Sequence, residues 1–318
     1  MLGLLSISRD IKLLRLSTPQ PYDPVNIYIV KLGRSVCLVD AGPATDDCYR
    51  QVEHALAEEG SGFGDIEAIL LTHSHVDHAG LAGRLQEQSG CVVYVHPGDL
   101  QSVVDPVGKT AEKFGRLMDE LGEPEVRGLV QSALALNTRR LESHFAHVEP
   151  TPLPVGSEKY GLHIVEAPGH TPGSTVYLSS GRVGLCGDTL LETQTLLIDN
   201  LHAYFRTLSK LSSLGVHSLW PGHGGVLEPA GKWVEAVRQK YLGRVESVKR
   251  IIKNPHTLFE VARSLYGESL VWDPNTVRAG LTYALLQTKT YLDYLVGDHL
   301  AEKRFRGGLT YYQSCEGV

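Results

Sequence analysis

Three histidines and one aspartate fall within six consecutive positions of this 318-residue chain, in the segment Thr72-His-Ser-His-Val-Asp-His-Ala-Gly80. A short apolar run at 66–71 precedes the segment and is typical of a buried strand, and helical spacing follows it. A loop between a strand and a helix lets neighbouring side chains turn to opposite sides, so one segment can supply ligands to two adjacent metal sites. Imidazole and carboxylate are ligand types that zinc accepts in catalytic sites. The candidate metal ligands of this segment are His73, His75, Asp77 and His78.

Three later segments each place one further candidate ligand directly after a predicted strand. His170 lies in Ala167-Pro-Gly-His-Thr-Pro-Gly-Ser174, Asp188 in Cys186-Gly-Asp-Thr189, and His223 in Trp220-Pro-Gly-His-Gly-Gly225. Glycine or proline flanks each of them, which fixes a sharp turn and allows the backbone to approach a bound ion closely. Each turn alone is a common feature, but the four segments in this order form a specific pattern.

With these four segments in this order, the chain resembles the metallo-β-lactamase superfamily over about residues 27–227. The resemblance implies an α/β fold, the four-layer αβ/βα sandwich, in which two mixed sheets pack face to face between helices and the site lies on one edge. It also implies one metal held by His73, His75 and His170, a second held by Asp77, His78 and His223, and Asp188 bridging both. The catalytic carboxylates would then be Asp77 and Asp188.

An early acidic residue matches the same family pattern. Asp40, in Val39-Asp-Ala-Gly42, corresponds to the family's Asp-x-Gly element. The resemblance implies that Asp40 supports the histidine-rich loop through hydrogen bonds rather than binding metal itself.

The length of the chain predicts about two domains. We expect a catalytic domain at 1–229, with a helical insertion at about 99–149, and a helical C-terminal domain at 230–318. The insertion lies between strands that carry site loops, so it is a candidate lid, with a plain packing element as the alternative. In the C-terminal part, Thr257 and Glu260 form a capping-box pattern and a hairpin is predicted at Gly307-Gly308, which together indicate a winged-helix-like module.

Charge, cysteine content and apolar runs predict the compartment and partners of the protein. The formal net charge of −6 does not indicate a protein that coats nucleic acid or an anionic membrane. Five scattered cysteines without a CxxC pair favour a reducing compartment over a disulfide framework. The first residues lack a signal-peptide pattern, and no run of about 20 apolar residues occurs. We therefore expect a cytoplasmic protein with no membrane partner.

Three other side chains are expected to have structural roles. Cys186 lies in an apolar run and is predicted to be buried in the core. His163 alternates with apolar neighbours and is predicted to face solvent. His96 follows a predicted strand, and we expect a structural role for it, with an approach to the substrate as the alternative.

The ligand set predicts the chemistry. Two zinc ions are positively charged, and Asp77, Asp188 and a bridging hydroxide would neutralise most of that charge. The centre would keep a charge of about +1, which attracts a carbonyl or phosphoryl oxygen. Bound water becomes a nucleophile near neutral pH because the metal lowers its pKa to about 7. We therefore expect a dinuclear zinc hydrolase that attacks with a metal-bridging hydroxide, with iron or manganese as alternative metals. A thiol with a pKa of about 8.5 leaves easily, which favours a small-molecule thioester or ester.

Other activities stay open at the level of sequence. The motifs resemble those of glyoxalase II, but residues 224–227 read Gly-Gly-Val-Leu where that family carries Glu-Tyr-Thr, so glutathione thioesters are not assigned. The C-terminal part resembles the β-lactamase-like protein 2 group, which includes a single-strand-specific endoribonuclease, yet its Lys303, Arg304 and Arg306 are mixed with acidic residues. A mononuclear iron persulfide dioxygenase would leave one ligand group without a role. A homodimer is an alternative to a monomer.

Overall fold

Two β-sheets form the centre of the protein in the computed structural model, which describes residues 4–18, 24–180, 182–192, 196–267 and 277–315. The first sheet contains, in chain order from edge to edge, β1 (Leu5–Ser6), β2 (Ile11–Leu16), β3 (Val25–Leu32), β4 (Ser35–Val39), β5 (Ile66–Leu70), β6 (Val92–Val95) and β7 (Pro150–Pro152). The second sheet has the order β12-β11-β10-β9-β8 and contains β8 (Glu158–Lys159), β9 (Leu162–Glu166), β10 (Thr175–Ser179), β11 (Val183–Gly187) and β12 (Ser218–Pro221).

Helices cover both sheets and fill the insertion and the C-terminal part. They are α1 (Asp46–Glu58), α2 (Val76–Ala79), α3 (Ala82–Ser89), α4 (Leu100–Val104), α5 (Pro106–Met118), α6 (Pro124–His144), α7 (Leu201–Ser213), α8 (Ala230–Ile251), α9 (Leu258–Tyr266) and α10 (Val277–Gly297). A third, antiparallel sheet near the C-terminus has the order β13-β15-β14 and contains β13 (His256–Thr257), β14 (Ala301–Arg306) and β15 (Leu309–Ser314). Within the described ranges, no helix has the length and apolar character needed to cross a membrane.

Successive residues of the first sheet face different cores. In β2, Leu14 and Leu16 pack in the core shared with α1 and α3, whereas Ile11 and Leu13 pack against the second sheet. These strands read as continuous apolar runs because both of their faces are buried. The far side of the second sheet is covered by α7 and α8. The order of layers is therefore helix, sheet, sheet, helix, and the predicted αβ/βα sandwich is confirmed.

Parallel strand pairs bring the site segments to one edge of the sandwich. The strands β4 and β5 run parallel, and Asp40 and Thr72 follow their carboxyl ends. In the second sheet β11 and β12 are also parallel, and Asp188 and His223 follow them. The Thr175 N–H donates a hydrogen bond to the Thr72 carbonyl at 2.9 Å, which joins the two sheets at this edge.

The histidine-rich segment differs from the predicted loop in one respect. Residues Val76–Ala79 form a single helical turn, because the N–H groups of His78 and Ala79 donate to the His75 carbonyl at 3.0 and 2.8 Å. Successive side chains on a helix are rotated by about 100°. The turn therefore sets the angle between the side chains of Asp77 and His78, whereas His75 precedes it with extended backbone.

The insertion and the C-terminal part follow the predicted elements. The insertion is helical, as α4 to α6, and it connects the parallel strands β6 and β7. The capping box of Thr257 and Glu260 is present, and β14 and β15 form the predicted hairpin around Gly307-Gly308. One apolar core joins Leu117 of α5 to the second sheet and to Leu285 of α10. The winged-helix assignment and the boundary at 229/230 stay predictions.

Candidate metal centre

All seven candidate ligands meet at the edge of the sandwich. Their ligand atoms form three overlapping groups, within each of which the atoms lie within 4.8 Å of one another: His73, His75 and His170; His73, His78 and Asp188; and Asp77, His78 and His223. In the first group, His75 Nδ1 lies 3.1 Å from His73 Nε2 and 3.0 Å from His170 Nε2. The side chains that the sequence placed after four different strands are therefore in contact.

Asp188 lies between the two predicted metal positions. Its Oδ1 is 3.5 Å from His78 Nε2, and its Oδ2 is 3.9 Å from His170 Nε2 and 3.8 Å from His223 Nε2. His223 Nε2 is in turn 3.3 Å from Asp77 Oδ2. This position is the one expected of a carboxylate shared by two ions.

Hydrogen bonds on the far side of each ring fix the tautomer of three histidines. His170 Nδ1 lies 2.7 Å from the Leu197 carbonyl oxygen, and His223 Nδ1 lies 3.0 Å from the Pro24 carbonyl oxygen. His78 Nδ1 lies 2.8 Å from a carboxylate oxygen of Asp40. Carbonyl and carboxylate oxygens only accept hydrogen bonds, so Nδ1 must carry the proton in each ring. In the neutral form Nε2 then directs a lone pair into the cluster, as a metal ligand requires.

The residues present fit divalent metal ions. Ligands about 2.1 Å from a tetrahedral ion lie about 3.4 Å from each other, close to the nitrogen–nitrogen distances of the first group. Lone pairs that face each other at about 3 Å repel unless a cation lies between them. Asp188 Oδ1 is buried and has no hydrogen-bond partner among the described residues, so a cation would satisfy it.

The histidines of the two halves of the site differ in the direction in which their pKa values are shifted. Burial lowers the pKa of His73 and His75 well below the ordinary value, and neighbouring imidazoles lower it further. Burial would also lower the pKa of His78, but the surrounding carboxylates, Asp188 above all, raise it to about 10. One half of the site therefore offers neutral imidazoles, and the other half stabilises a positive charge.

Asp40 supports the ligand segment as the sequence predicted. Its carboxylate is completely buried and accepts hydrogen bonds from the Thr72 N–H at 2.7 Å and the Thr72 hydroxyl at 2.8 Å, besides the bond from His78. The Thr72 hydroxyl, which gives its proton to Asp40, accepts in turn from His73 Nδ1 at 3.0 Å. Asp40 has a φ of +63°, a backbone conformation that costs free energy in a residue other than glycine. The hydrogen bonds of its carboxylate therefore hold Asp40 in this backbone conformation.

Asp99 supports the site in a way that sequence reasoning missed. It is completely buried at the start of the insertion, and its Oδ2 accepts from the Ser74 N–H at 2.9 Å and the Thr171 hydroxyl at 2.8 Å. Its Oδ1 accepts from the Gly173 N–H at 2.7 Å. Asp99 thus ties the histidine-rich segment to the segment of His170. The signal available in the sequence was its place just after a strand that neighbours the histidine-bearing strand.

The three residues expected to have structural roles lie as predicted. His163 is exposed on β9, and Cys186 is fully buried in the core. His96 Nε2 lies 3.2 Å from Glu166 Oε1, and His96 Nδ1 accepts from the Gly98 N–H, so this ring is held in local bonds.

A cavity of about 370 Å³ opens beside the cluster. His75 and Asp77 line one side of it, and residues of α5 and α6 line the other. The insertion is thus a wall of the cavity, while its Leu117 and Val130 are anchored in the core below. The insertion therefore lines the cavity and packs into the core, and its role as a lid stays a prediction.

An αβ/βα sandwich with a histidine and aspartate cluster at its edge defines a class of metal-dependent hydrolases. The chain belongs to the Metallo-beta-lactamase superfamily, whose family model matches residues 21–240. It is 28% identical to the probable metallo-hydrolase YqjP of Bacillus subtilis, over 97% of this chain and 99% of that protein. It is 24% identical to a beta-lactamase-like protein 2 homolog of Caenorhabditis elegans, over 87% of this chain and 80% of that protein.

A solved structure shares the whole fold. The metallo-beta-lactamase family protein TTHA1429 from Thermus thermophilus matches with a TM-score of 0.79 at 24% identity, covering 98% of this chain and 100% of that chain. The likeness therefore includes the insertion and the C-terminal part as well as the sandwich. The family, the relatives and the ligand cluster together identify a metal-dependent hydrolase.

Proposed function

We propose that this protein is a dinuclear zinc hydrolase of small-molecule thioesters or esters. The observation that carries the proposal is the convergence of the side chains of seven candidate ligands. Four of the histidine rings among them are also fixed from outside the cluster by Asp40, Thr72, Leu197 and Pro24. When bound there, two zinc ions would supply an activated water and an electrophilic partner for a carbonyl oxygen. Asp188 would be shared by both ions, and Asp77 would complete the second set.

The residues of the chain prepare this chemistry in advance. The rings cannot turn without breaking hydrogen bonds to buried acceptors, so the ligand atoms keep their places before a substrate arrives. Preorganisation of this kind removes the free energy of reorganisation from the reaction itself. The cavity beside His75 and Asp77 brings a substrate to the same edge, and Phe114, Leu197 and Leu286 give it an apolar lining.

The leaving group supports a thioester over other substrates. Outside the metal cluster, the titratable side chains that line the cavity within the described ranges are lysine, arginine, aspartate and tyrosine: Lys109, Lys113, Arg140, Asp199 and Tyr283. A general acid works best when its pKa lies near the working pH, and none of these residue types ordinarily titrates near pH 7. A thiolate leaves with little help from an acid, because a thiol has a pKa of about 8.5.

The alternatives have less support. A mononuclear iron dioxygenase would need only one ligand group, yet the ligand atoms of Asp77, His78 and His223 also lie within 4.8 Å of one another. An endoribonuclease would benefit from a basic C-terminal surface, but Lys303 is paired with Glu120 and Arg304 with Glu302. Nucleic acid therefore remains the second substrate class to test, and iron or manganese the alternative metals.

Thiol release from acyl-coenzyme A and acyl-glutathione thioesters tests the proposal. We expect release by the zinc-loaded protein with two ions per chain. Asp188→Asn should lose one ion and reduce turnover on the order of a thousandfold, because it weakens a ligand shared by both ions. His163→Ala, which changes an exposed side chain on β9, is the control. Full turnover by Asp188→Asn would refute the dinuclear hydrolase, and so would one iron per chain with oxygen uptake. If the protein releases no thiol, single-stranded RNA is the next substrate to test.

A further inference from the structure

The lining of the cavity beside the candidate metal ligands is positively charged. Lys109 and Lys113, one turn apart on α5, and Arg140 on α6 all line it. Asp199 is the one carboxylate that lines the described part of the cavity outside the metal cluster. Leaving the metal ligands aside, cations outnumber carboxylates by two.

Lys113 is linked through Asp199 to the segment that carries His170. Its Nζ donates to Asp199 Oδ1 at 2.5 Å, and the Asp199 N–H donates to the Gly169 carbonyl at 2.8 Å, next to His170. The charge of Lys113 contributes, after burial and the neighbouring His170, to the lowered pKa of His75. An ammonium group has three N–H donors and Asp199 takes one, so Lys113 keeps donors for a bound molecule.

The acidic partner of Lys109 does not line the cavity. Lys109 pairs with Glu112 at 2.7 Å, and both side chains are about two-fifths exposed. Glu112 also binds Arg116, and neither of these two residues lines the cavity. Glu112 is thus a surface partner of Lys109, and surface ion pairs of this kind are weak.

We propose that the cavity takes a thioester or ester with a carboxylate or phosphate group, which Lys109, Lys113 and Arg140 bind while the carbonyl group meets the metal centre. This inference rests on the proposed function and adds the substrate class to it. Charge-assisted hydrogen bonds are about twice as strong as neutral ones, so the anionic group should add substantially to substrate binding. A cavity of about 370 Å³ suits a small acyl group rather than a polymer.

Matched substrates test the charge. The first pair is the succinyl and pentanoyl thioesters of N-acetylcysteamine, which differ in a terminal carboxylate. The second pair is pentanoyl-4′-phosphopantetheine and pentanoyl-pantetheine, which differ in one phosphate on the leaving group. We expect kcat/KM to be at least tenfold higher for one anionic member, and Lys113→Met to remove most of that preference. Arg116→Met, on the same helix but away from the cavity, should keep it. Equal rates for anionic and neutral members, or an unchanged preference in Lys113→Met, would overturn the proposal.

A binding measurement separates this inference from the proposed function. The amide analogue of the succinyl thioester is not hydrolysed, so its affinity for the zinc-loaded protein can be measured even if no thioester is cleaved. Tighter binding than the pentanoyl amide, lost in Lys113→Met, supports the anion site in either case. If the two amides bind equally, the anion site is wrong although thioester hydrolysis stands.

Tyr283, on α10, is another polar residue of the cavity lining. Its hydroxyl is buried and has no hydrogen-bond partner among the described residues, and its side chain lines the cavity together with His75 and Asp77. A buried hydroxyl without a hydrogen-bond partner destabilises the folded protein unless something else binds it. Burial raises the pKa of the Tyr283 phenol, with a further contribution from Asp188 among others, so the group stays a donor.

We infer that the Tyr283 hydroxyl donates a hydrogen bond to the substrate carbonyl oxygen as that oxygen gains negative charge. Removal of one such donor in other enzymes costs on the order of a hundredfold in kcat. Tyr291, on the same helix, offers a control, because its hydroxyl is also buried but its side chain does not line the cavity.

The pair Tyr283→Phe and Tyr291→Phe tests this assignment on the thioesters above. We expect Tyr283→Phe to lower kcat by about ten- to a hundredfold with little change in KM, and Tyr291→Phe to stay within twofold. Neither change should lower the unfolding midpoint. A phosphonate analogue of the tetrahedral intermediate should bind Tyr283→Phe at least tenfold more weakly, and this can be measured without turnover. Equal kinetics and equal phosphonate affinity in both variants would overturn the role of Tyr283.

Discussion

Replacement of Asp99 by alanine tests whether one buried carboxylate holds two metal-binding segments together. Asp99 accepts hydrogen bonds from the Ser74 and Gly173 N–H groups and from the Thr171 hydroxyl. The hydroxyl has an alternative partner, because Ser174 Oγ lies 2.9 Å away. The two backbone N–H groups cannot turn, and each would lose its partner. A buried donor without a partner costs about 1–3 kcal/mol, so the expected loss of stability is about 2–6 kcal/mol.

The same change should weaken metal binding. Ser74 lies between His73 and His75, and Thr171 directly follows His170, so Asp99 joins the segments that carry the whole first ligand group. Groups that orient metal ligands typically contribute about 10- to 100-fold to metal affinity. We therefore expect zinc affinity to fall by about that factor, with the loss concentrated in one of the two ions.

Urea unfolding of the zinc-loaded protein and zinc titration of the metal-stripped protein measure the two effects. Asp105→Ala is the control: Asp105 is exposed and caps α5 through the Gly108 N–H, so its loss should cost about 1 kcal/mol and leave zinc affinity unchanged. Asp99→Asn keeps one acceptor and should fall between the two. If Asp99→Ala unfolds like Asp105→Ala and binds zinc normally, the two segments are held by other contacts and the reasoning fails.

Three further outcomes follow from the site and its surroundings. Zinc affinity should rise about tenfold per pH unit from pH 7 toward 10, because His78 in the metal-free protein has its pKa raised to about 10 and must lose a proton on binding; a flat profile in zinc titrations would contradict this. Gly222→Ala should release zinc on dialysis, since its Cβ would lie 2.3 Å from His78 Cε1 and 2.6 Å from Asp188 Oδ1, whereas Gly225→Ala, with 3.8 Å to its nearest neighbour, should retain it. His163→Ala should change the free energy of unfolding by less than about 0.5 kcal/mol, measured in urea, because its side chain faces solvent.

The convergence of the candidate ligands could be predicted because each of them carries its own local signal. His170, Asp188 and His223 stand in turns rich in glycine or proline directly after apolar strand runs, and such turns converge wherever the strands run parallel. The helical turn Val76–Ala79 gave no such signal, because four residues are too few to show helical spacing and His75 is not a usual residue to begin a helix.

Long-range support could not be predicted, because no local pattern encodes it. The partners of Asp99 are backbone N–H groups 25 and 74 positions away, and backbone groups have no sequence signature. Helical spacing predicted the helices of the insertion, but whether Lys113 lines the cavity depends on how α5 and α6 pack. Tyr283 likewise reaches the site only because α10 folds back against α6 and α8.

The C-terminal helices also act on the metal centre through the segment after Asp188. The Tyr241 hydroxyl of α8 donates to the Leu196 carbonyl at 2.8 Å, and the Thr290 hydroxyl of α10 donates to the Ile198 carbonyl at 2.6 Å. Between these two fixed residues, the Leu197 carbonyl accepts the hydrogen bond that sets the tautomer of His170. The family match ends at residue 240, so it covers every metal ligand but not the helix that completes this support. The helix α10 thus holds the segment whose Leu197 carbonyl binds His170, and its Tyr283 lines the cavity. A change in the packing of α10 should therefore alter metal binding and substrate preference together.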